Sequence, residues 1–441
     1  MRKAFIHILA VFLLSVPLST FAQTDFGLHF MPGAVQSQYT NPAFMSEKKI
    51  NIALPGVSFG ATHSGFTIGD LLQPVDGSDS FRVDIDNVLT QLGDDNTLKG
   101  KVHADILAVG VRLGGFQLGV NTGTRASFFA AYPKDLVRLG WQGNGDYIGQ
   151  TLSVGPDFQA FAYHEIGLSG AIRIKKKLQF GARVKYLIGL ADFSLSRNNA
   201  QFQTGTEYYQ LSLLTDVQFN TSTFNMGSIN SLDDLDQLEP EFTLNATTAN
   251  KGFAADLGVV FNLNDKLSFS ASVRDLGFIN WTDQVSNYAV AGEVNFEGID
   301  AMEISEGNEE AMEELVDSLL SGLTVQTANE TYRTQLPTEY YLSGTFSPLK
   351  SLRLGALMHS TRYRGRSTTA VGLSASKDLG KILSLGVNYF TVNKSYQNLG
   401  ANLLLKMGPV HLYMLSDNIL TFIRPEESKF VNFRMGMNVA F

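Results

Sequence analysis

Short segments of alternating apolar and polar residues recur along this chain, most of them in pairs joined by tight turns. Six pairs turn on short runs that contain Gly, Asn, Asp, Pro or Lys: Gly114-Gly115, Lys175-Lys176-Lys177, Asn264-Asp265-Lys266, Pro348-Leu349-Lys350, Asp378-Leu379-Gly380 and Gly408-Pro409. A period of two puts successive side chains on opposite faces of a strand, and turns of this kind join strands into hairpins. The pairs therefore predict twelve antiparallel strands. A segment at about 49–60 and the last residues, 430–441, raise the number to fourteen.

The chain ends in the clearest of these segments. Its apolar row consists of Phe433, Met435, Met437, Val439 and Phe441, and the opposite row consists of Arg434, Gly436, Asn438 and Ala440. An alternating strand that closes the chain on an aromatic residue resembles the C-terminal assembly signal of outer-membrane β-barrels, whose strands face lipid on one side and the lumen on the other. We expect the barrel-assembly machinery to recognise the apolar row.

Loop lengths agree with a transmembrane barrel. If the chain enters the barrel from the periplasm, the short turns lie there and the long connections lie outside, at about 61–102, 128–157, 196–251 and 283–337. Bacterial barrels have an even number of strands, short periplasmic turns and longer extracellular loops. The predicted fold is an all-β, transmembrane antiparallel β-barrel of about fourteen strands over residues 49–441. The connections at 128–157 and 196–251 have room for extra strands.

The N-terminus has the composition of a secretory signal peptide. Arg2 and Lys3 precede an apolar run from Ala4 to Leu14, and Thr20-Phe21-Ala22 provides a small-x-small cleavage site. The run is shorter than the roughly 20 residues that a membrane-spanning helix needs. We expect residues 1–22 to be removed near Ala22 and the mature protein to reach the bacterial outer membrane, in contact with lipid and lipopolysaccharide.

Composition and motifs argue against several classes of function. The chain has no cysteine, so disulfides and cysteine-based metal sites are impossible, and its net charge of −8 argues against nucleic-acid binding. No His-Glu-x-x-His occurs, and the single Gly-x-Ser-x-Gly match, at residues 56–60, lies within the predicted first strand and not at a strand-to-helix elbow. The six histidines beyond residue 22 lack metal-ligand spacing. Asp84, Asp86 and Asn87 lack the Gly and distal Glu of a calcium loop, so we interpret them as solvated. We predict no enzyme, metal or cofactor.

The row opposite the apolar one is too polar for a packed core and suits a wet or plugged lumen. Its charged and amide members include Arg112, Gln117, Asn121, Arg125, Glu165, Arg173, Arg183, Lys185, Asp256, Arg274, Arg353, Asn388, Lys406, Arg434 and Asn438. Gly181, Gly258 and Gly386 lie in the same row. Glycines weaken strand packing but leave space where other backbone approaches closely. These glycines therefore have two possible explanations: they relieve the twist of the sheet, or they make space for a plug.

The segment before the first strand, residues 23–48, does not alternate, and Pro32 and Pro42 disfavour a place in a sheet. It contains Asn41-Pro42-Ala43, which alone is a weak turn signal. This motif just before the first strand, together with fourteen strands, resembles the FadL-type superfamily of outer-membrane channels. The resemblance implies an N-terminal plug folded inside the barrel, with Asn41, Pro42 and Ala43 in the lumen.

Two further phrases resemble an uncharacterised branch of such barrels, which has no established substrate. They are Val273-Arg274-Asp275-Leu276-Gly277-Phe278-Ile279-Asn280-Trp281 and Ser416-Asp417-Asn418-Ile419. From the residues themselves, we interpret Asp275-Leu276-Gly277 as a β-bulge. Trp281 and Tyr288 are interpreted as parts of the outer aromatic girdle.

One amphipathic helix is predicted near 308–323, within the fourth long loop. Its apolar stripe recurs at helical spacing and consists of Met312, Leu315, Val316, Leu319, Leu320 and Leu323. The helix either caps the barrel mouth or, as loop helices do in FadL-type channels, forms part of an apolar entry groove.

Two functions are compatible with these features. The first is FadL-like transport or capture of hydrophobic small molecules through a loop groove, the lumen and rearrangement of the plug. The alternative is a non-transporting barrel that serves secretion or surface assembly by holding a partner protein on its long loops.

Overall fold

A computed structural model describes residues 26–75, 80–175, 177–225, 241–242, 248–296, 322–392 and 395–441. The signal-peptide prediction for residues 1–22 lies outside this part of the chain. The α-helices are Phe26–His29, Ile68–Leu71, Ile85–Gln91 and Lys134–Gln142, and the 3-10 helices are Val35–Tyr39, Gly145–Tyr147, Ile419–Phe422 and Pro425–Glu427. The strands, in chain order, are β1 (Ile50–His63), β2 (Leu72–Pro74), β3 (Phe81–Val83), β4 (Asp95–Leu113), β5 (Phe116–Pro133), β6 (Thr151–Ser153), β7 (Asp157–Ile174), β8 (Leu178–Thr204), β9 (Leu211–Ser222), β10 (Phe224–Asn225), β11 (Glu241–Phe242), β12 (Lys251–Asn262), β13 (Leu267–Trp281), β14 (Val285–Phe296), β15 (Leu323–Ala328), β16 (Tyr332–Gln335), β17 (Thr338–Leu349), β18 (Leu352–Tyr363), β19 (Arg366–Leu379), β20 (Leu383–Val392), β21 (Ser395–Met407), β22 (Val410–Ser416) and β23 (Phe430–Ala440).

Fourteen of these strands close into an antiparallel barrel. Their order around the wall is β1-β4-β5-β7-β8-β12-β13-β17-β18-β19-β20-β21-β22-β23, and β23 pairs with β1 to complete the ring. At the closure Phe433 lies opposite Phe59, and Val439 lies opposite Ile52. The predicted all-β barrel of fourteen strands is therefore confirmed, and the last strand pairs with the first as expected.

The outer face of the wall is apolar. On β23, Met435 is 48% exposed whereas the adjacent Arg434 is 1% exposed. Leu168, Leu342 and Leu373, on three other strands, are 62%, 58% and 64% exposed. A closed barrel with such a belt buries it in hydrocarbon, so the chain is an outer-membrane β-barrel. None of the helices in the described part of the chain is long and apolar enough to cross a membrane.

Additional strands extend the wall at the end that carries the long connections. β8 continues to Thr204 and pairs there with β9, β9 pairs with β14, and β14 pairs with β15. β6, β9, β10 and β11 lie in the two predicted connections that have room for extra strands, 128–157 and 196–251. The first two long connections are shorter than predicted, 64–94 and 134–156, because β4 and β5 extend further. Polar and small residues at those strand ends conceal the alternation.

The predicted amphipathic helix lies mostly outside the described residues. Five residues of its apolar stripe lie outside them: Met312, Leu315, Val316, Leu319 and Leu320. Leu323, in contrast, begins β15 and lies opposite Gly292 of β14. The helix prediction is wrong for this residue, because pairing with a neighbouring strand outweighs local periodicity.

A bulge is present in β13 as predicted, but it consists of Arg274 and Asp275 and not of Asp275-Leu276-Gly277. Ala255 and Leu257 of β12 pair with Leu276 and Val273, which leaves two residues of β13 opposite one residue of β12. The second of these two residues, Asp275, has a φ of 57°. A bulge of this kind bends the strand and redirects its side chains.

The bulge also explains why the predicted aromatic girdle is wrong for Trp281. One inserted residue moves the inward face of β13 from even to odd residue numbers, so Ile279 and Trp281 both point inside and are fully buried. The indole Nε1 donates to Thr334 Oγ1 at 2.9 Å. Tyr288 is fully buried as well, and its ring stacks on Phe219 of the neighbouring β9. Neither side chain belongs to an exposed girdle.

Candidate functional site in the barrel lumen

The N-terminal segment, residues 26–48, contacts the inward faces of the strands. Within it, Asn41 and Ala43 are completely buried. Asn41 Nδ2 donates to the carbonyl oxygens of Val259 and Ala271, at 3.3 Å each, on the adjacent strands β12 and β13. Asn41 Oδ1 accepts from the backbone N of Ala43 at 2.9 Å and so closes the turn at Pro42. The three motif residues are thus docked on the wall from within.

Two glycines form the recess that receives this turn. Gly181 of β8 lies directly opposite Gly258 of β12. A Cβ on Gly181 would overlap the carbonyl group of Pro42, and a Cβ on Gly258 would overlap Asn41 Oδ1. Because no side chain fits at either position, space for the N-terminal segment explains these lumenal glycines better than relief of twist.

Tyr39 lies among three arginines of the wall. The guanidinium carbons of Arg125, Arg183 and Arg434 lie 5.7, 5.0 and 5.7 Å from the centre of its ring. Each contact of this type is worth about 0.5–2 kcal/mol, more when water is excluded. The arginines form ion pairs with Glu165, Asp256 and Asp105, respectively.

Further ion pairs continue around the interior. They join Lys185 to Asp256 and Asp275 at 2.7 and 2.5 Å, Arg274 to Glu339 at 3.0 Å, and Lys101 to Glu339. The bulge contributes to this network, because it points the consecutive residues Arg274 and Asp275 inward. Buried charges are costly unless they are paired and hydrogen-bonded, so the network fixes the positions of these side chains.

Asp417 binds the beginning of the described segment. Its Oδ2 and Oδ1 accept from the backbone N of Phe26 and of Gly27, at 2.9 and 2.7 Å. The amide groups of Asn388 and Asn432 also donate to it, at 3.3 and 2.7 Å. Asp417 is completely buried, so these donors replace water. The sequence Ser416-Asp417-Asn418-Ile419 therefore supplies an anchor for the segment.

His29 connects the segment to β17. Its Nδ1 and Nε2 lie 2.9 Å from Thr40 Oγ1 and from Ser343 Oγ. Burial, together with nearby His359, lowers the pKa of His29 to about 3, so the ring is neutral at pH 7. Thr40 Oγ1 already donates to the carbonyl oxygen of Ser37. It therefore accepts from Nδ1–H, and Ser343 donates to Nε2.

The wall is irregular next to this anchor. β22 pairs with its neighbours up to Ser416, and the 3-10 helix Ile419–Phe422 follows in place of further strand. Asn418 Nδ2 donates to the carbonyl oxygen of Phe430 at 2.8 Å and so replaces a missing ladder bond. Ile423 is 71% exposed on this section. Asp417, which anchors the segment, and Asn418, which holds the irregular part of the wall, are thus consecutive in the chain.

Aromatic side chains fill the lumen towards the long connections. The cluster includes Phe129, Phe161, Tyr163, Trp281, Leu336 and Tyr363. Next to it, a cavity of about 30 Å³ is lined by five aromatic residues, four of them from the cluster, and by cationic and histidine side chains. The aromatic residues are Phe128, Phe129, Phe161, Tyr163 and Tyr363, and the others include Lys99, Lys101, His103 and Arg125. Ligand pockets typically measure roughly 300–1,000 Å³, so this cavity admits a small-molecule ligand only if the segment or the cluster moves.

Several cavity residues escape prediction from the sequence. The prediction places residues up to 102 in an outer connection, whereas Lys99 and Lys101 lie on β4 and are directed inward. The residues that alternate with them, Gly100, Val102 and Ala104, are small, so the apolar row that would identify a strand is weak there. Alternation of charged residues, Lys99-x-Lys101-x-His103-x-Asp105, is the signal that identifies this part of the strand.

The described residues include no group of three or more His, Asp or Glu that could hold a metal ion. Asp84 caps the helix Ile85–Gln91, where its Oδ1 accepts from the backbone N of Asn87 at 2.9 Å. This role in helix capping accounts for an acidic residue at that position without a cation.

Comparisons with known proteins give a family and an architecture. Residues 42–417 match a family of unknown function (DUF5723), and no curated protein matches the sequence. The chain is similar to a deletion mutant of TodX, the Pseudomonas putida toluene transporter (10% identity, 96% of each chain covered, TM-score 0.46). It is also similar to the toluene transporter TbuX of Ralstonia pickettii (10%, 92% of this chain and 94% of that chain, 0.43) and to a Pseudomonas aeruginosa FadL homologue (13%, 92% and 94%, 0.42). At these values, nothing about the ligand follows.

Proposed function

This chain belongs to DUF5723, a family of unknown function, and we propose that it is a gated outer-membrane channel that passes or captures hydrophobic small molecules. The observation that carries the proposal is that residues 26–48 contact inward-facing residues of the wall, and we infer that this segment acts as a plug. The segment is attached by hydrogen bonds and packing, and the chain has no cysteine that could lock it covalently. Strand pairing continues around the whole barrel and holds the wall in place. A path through the lumen therefore opens when the segment moves.

Two aromatic regions of the interior favour an apolar cargo. Near the long connections, the ring centres of Phe129 and Phe161 lie 5.4 and 6.5 Å from that of Tyr363. Closer to Asp417, Phe26 of the segment stacks on Phe390 of β20 at 4.4 Å. Aromatic surfaces bind apolar molecules through burial and ring contacts, whereas a polar solute would lose its hydrogen bonds to water there.

Asp417 is the proposed release point of the plug. It holds Phe26 and Gly27 through their backbone N atoms, while Asn418 holds the irregular wall. A cargo that competes with Phe26 for the surface of Phe390 would weaken the grip on this end of the segment. The remaining contacts, at Asn41 and Tyr39, then keep the segment attached to the barrel as it moves.

A reversible lock on the plug tests the proposal. The Cβ of a residue at position 27 would lie 2.7 Å from the Asn388 amide nitrogen, so Gly27→Cys with Asn388→Cys places two thiols in reach of each other. Oxidation is expected to abolish cellular uptake of a labelled aromatic hydrocarbon or fatty acid, and reduction is expected to restore it. The extent of crosslinking is measured from the mobility of the protein on a gel run without reductant.

Each single-cysteine variant is a matched control, because the natural chain contains no other thiol. Oxidant should leave uptake by both unchanged. Deletion of residues 23–48 is expected to let arabinose, a polar solute, through the barrel in a liposome-swelling assay. Undiminished hydrocarbon uptake through fully crosslinked protein contradicts the proposed channel.

The extension of the wall supports a second candidate function. β9, β14 and β15 form a sheet with the end of β8 beyond the barrel, and the side chains of residues 326–328 are exposed. We propose as the alternative a barrel that holds a secretion or surface partner protein on this sheet. Crosslinking in native outer membranes distinguishes the channel from the accessory protein. The accessory function is favoured if a stoichiometric partner is captured and is lost on deletion of residues 285–328, while uptake does not change when the 27–388 disulfide forms.

A further inference from the structure

Lys99 is a buried cation with an unusual environment. It lies on the inward face of β4 and is 2% exposed. Its ammonium group has three hydrogens, and one bonds to Thr368 Oγ1. Among the described residues, no carboxylate lies within 4 Å of it, in contrast to Lys101, Arg125 and the other cations of the lumen. A buried charge is costly unless a partner neutralises it.

The charged groups that act on Lys99 increase this cost. They are Lys101 and Arg366, both cationic. Lys101 is already paired with Glu339, and Arg366 with Asp95. Neither neighbour brings a carboxylate to the Lys99 ammonium, so the partner has to come from outside these pairs.

The adjacent cavity supplies the space for a partner. Its charged lining consists of the cations Lys99, Lys101 and Arg125 and the carboxylates Asp275 and Glu339, which leaves one positive charge in excess. A volume of about 30 Å³ accommodates an ion of halide size, since a single water needs roughly 10–15 Å³ on the same measure. Aromatic residues also line the cavity, and the Lys99 Nζ lies over the ring of Phe129, 6.0 Å from its centre, at the outer limit of a cation–π contact.

We propose that this cavity is a binding site for one monovalent anion, held by Lys99. The anion is either a free halide or the carboxylate of a small molecule whose apolar part displaces some of the aromatic side chains. The shared chemistry is a single negative charge that pairs with Lys99 and cancels the excess charge of the lining. The site is independent of transport, so the proposal can hold even where the proposed channel function fails.

Bromide is the direct probe, because its anomalous scattering marks its position. Crystals of the purified, full-length barrel grown in sodium bromide are expected to show a peak in the cavity within hydrogen-bond reach of Lys99 Nζ. Lys99→Met keeps the length of the side chain and removes the charge, and its crystals should lose this peak. An absent peak in wild-type crystals overturns the free-halide form of the proposal.

Thermal unfolding in detergent tests both sources of the anion. Bromide or benzoate replaces gluconate at constant ionic strength. Each is expected to raise the unfolding midpoint of the wild type, because a ligand stabilises the state that it binds. Lys99→Met should lose the rise. Exposed Lys177 provides the matched control Lys177→Met, which should keep it.

The ratio of the two anions identifies the source. Benzoate that acts at a tenfold or more lower concentration than bromide indicates a small-molecule carboxylate, and equal or stronger action of bromide indicates a free ion. Lys99→Met is expected to fold, as loss of an unpaired buried charge removes a penalty. The proposal is overturned if neither anion shifts the wild-type midpoint, or if the shift is the same in Lys99→Met.

Discussion

Gly258 shows how the absence of a side chain determines what the lumen contains. It lies opposite Gly181, and together they leave room for the turn at Asn41 and Pro42. The same position in a barrel with an empty lumen would tolerate any small residue. The local sequence around Gly258 only predicts a weak point in a strand, so its role depends on the docked segment.

We predict that Gly258→Leu displaces the motif without unfolding the barrel. Overpacking costs about 1–3 kcal/mol, which raises the displaced population roughly five- to 150-fold. Ala43→Cys, the single thiol in the chain, reports the change as maleimide labelling of the folded protein. The control is Gly170→Leu, a strand glycine whose Cβ would meet only a flexible leucine side chain. Equal labelling rates in the two backgrounds would show that the recess does not hold the segment.

The bulge in β13 has the greatest effect at the level of elements. It directs Arg274 and Asp275 into the ion-pair network and turns Trp281 inward. Both effects come from one extra residue, because side chains alternate along a strand. Local alternation therefore describes each half of this strand correctly but fails across the bulge.

We predict opposite outcomes for replacing Asp275 and for inserting a residue beyond it. Asp275→Gly suits the φ of 57° and preserves the bulge, so the barrel should assemble with a loss of about 3–5 kcal/mol from the buried pair with Lys185. Insertion of one alanine between Gly277 and Phe278 would turn Trp281 towards lipid and Phe278 inward, and we expect assembly to fail. The readout is the heat-modifiable barrel band in outer membranes. Normal levels of the insertion variant would contradict the role given to the inward face of this strand.

At the scale of the whole molecule, the last residue closes the barrel. The carbonyl oxygen of Phe441 accepts from the backbone N of Lys49 at 2.8 Å, and its own N donates to the carbonyl oxygen of Ile50 at 2.9 Å. Its side chain is 60% exposed on the outer face. Phe441 thus joins the two ends of the fourteen-strand ring and completes the apolar row that also contains Phe433, Met435, Met437 and Val439.

We predict that deletion of Phe441 lowers the amount of assembled protein in the outer membrane. The deletion removes three closing backbone hydrogen bonds and the aromatic end that the barrel-assembly machinery is proposed to recognise. Phe441→Tyr keeps an aromatic residue there and serves as the control. Immunoblots of the heat-modifiable band measure the effect, and wild-type levels after deletion would refute this role.

Alternation, turn residues and the aromatic end were enough to predict the strands, their number and the closure of the last strand on the first. These features are local, because side-chain period and turn conformation depend on neighbours in the chain. The polar lumenal row followed from the same period. The resemblance to FadL-type barrels suggested a plug at Asn41-Pro42-Ala43, but not the glycines that receive it.

The sequence by itself therefore determined the kind of wall this protein builds, and the tertiary structure decided what the wall encloses. Asp417 holds the backbone of Phe26 across 391 residues, a contact that no periodicity encodes. The same holds for Lys99, because only the closed barrel decides that no carboxylate of the described residues lies beside it. Strands arise from local pattern, whereas the lumen arises from contacts between residues that only the closed ring brings together.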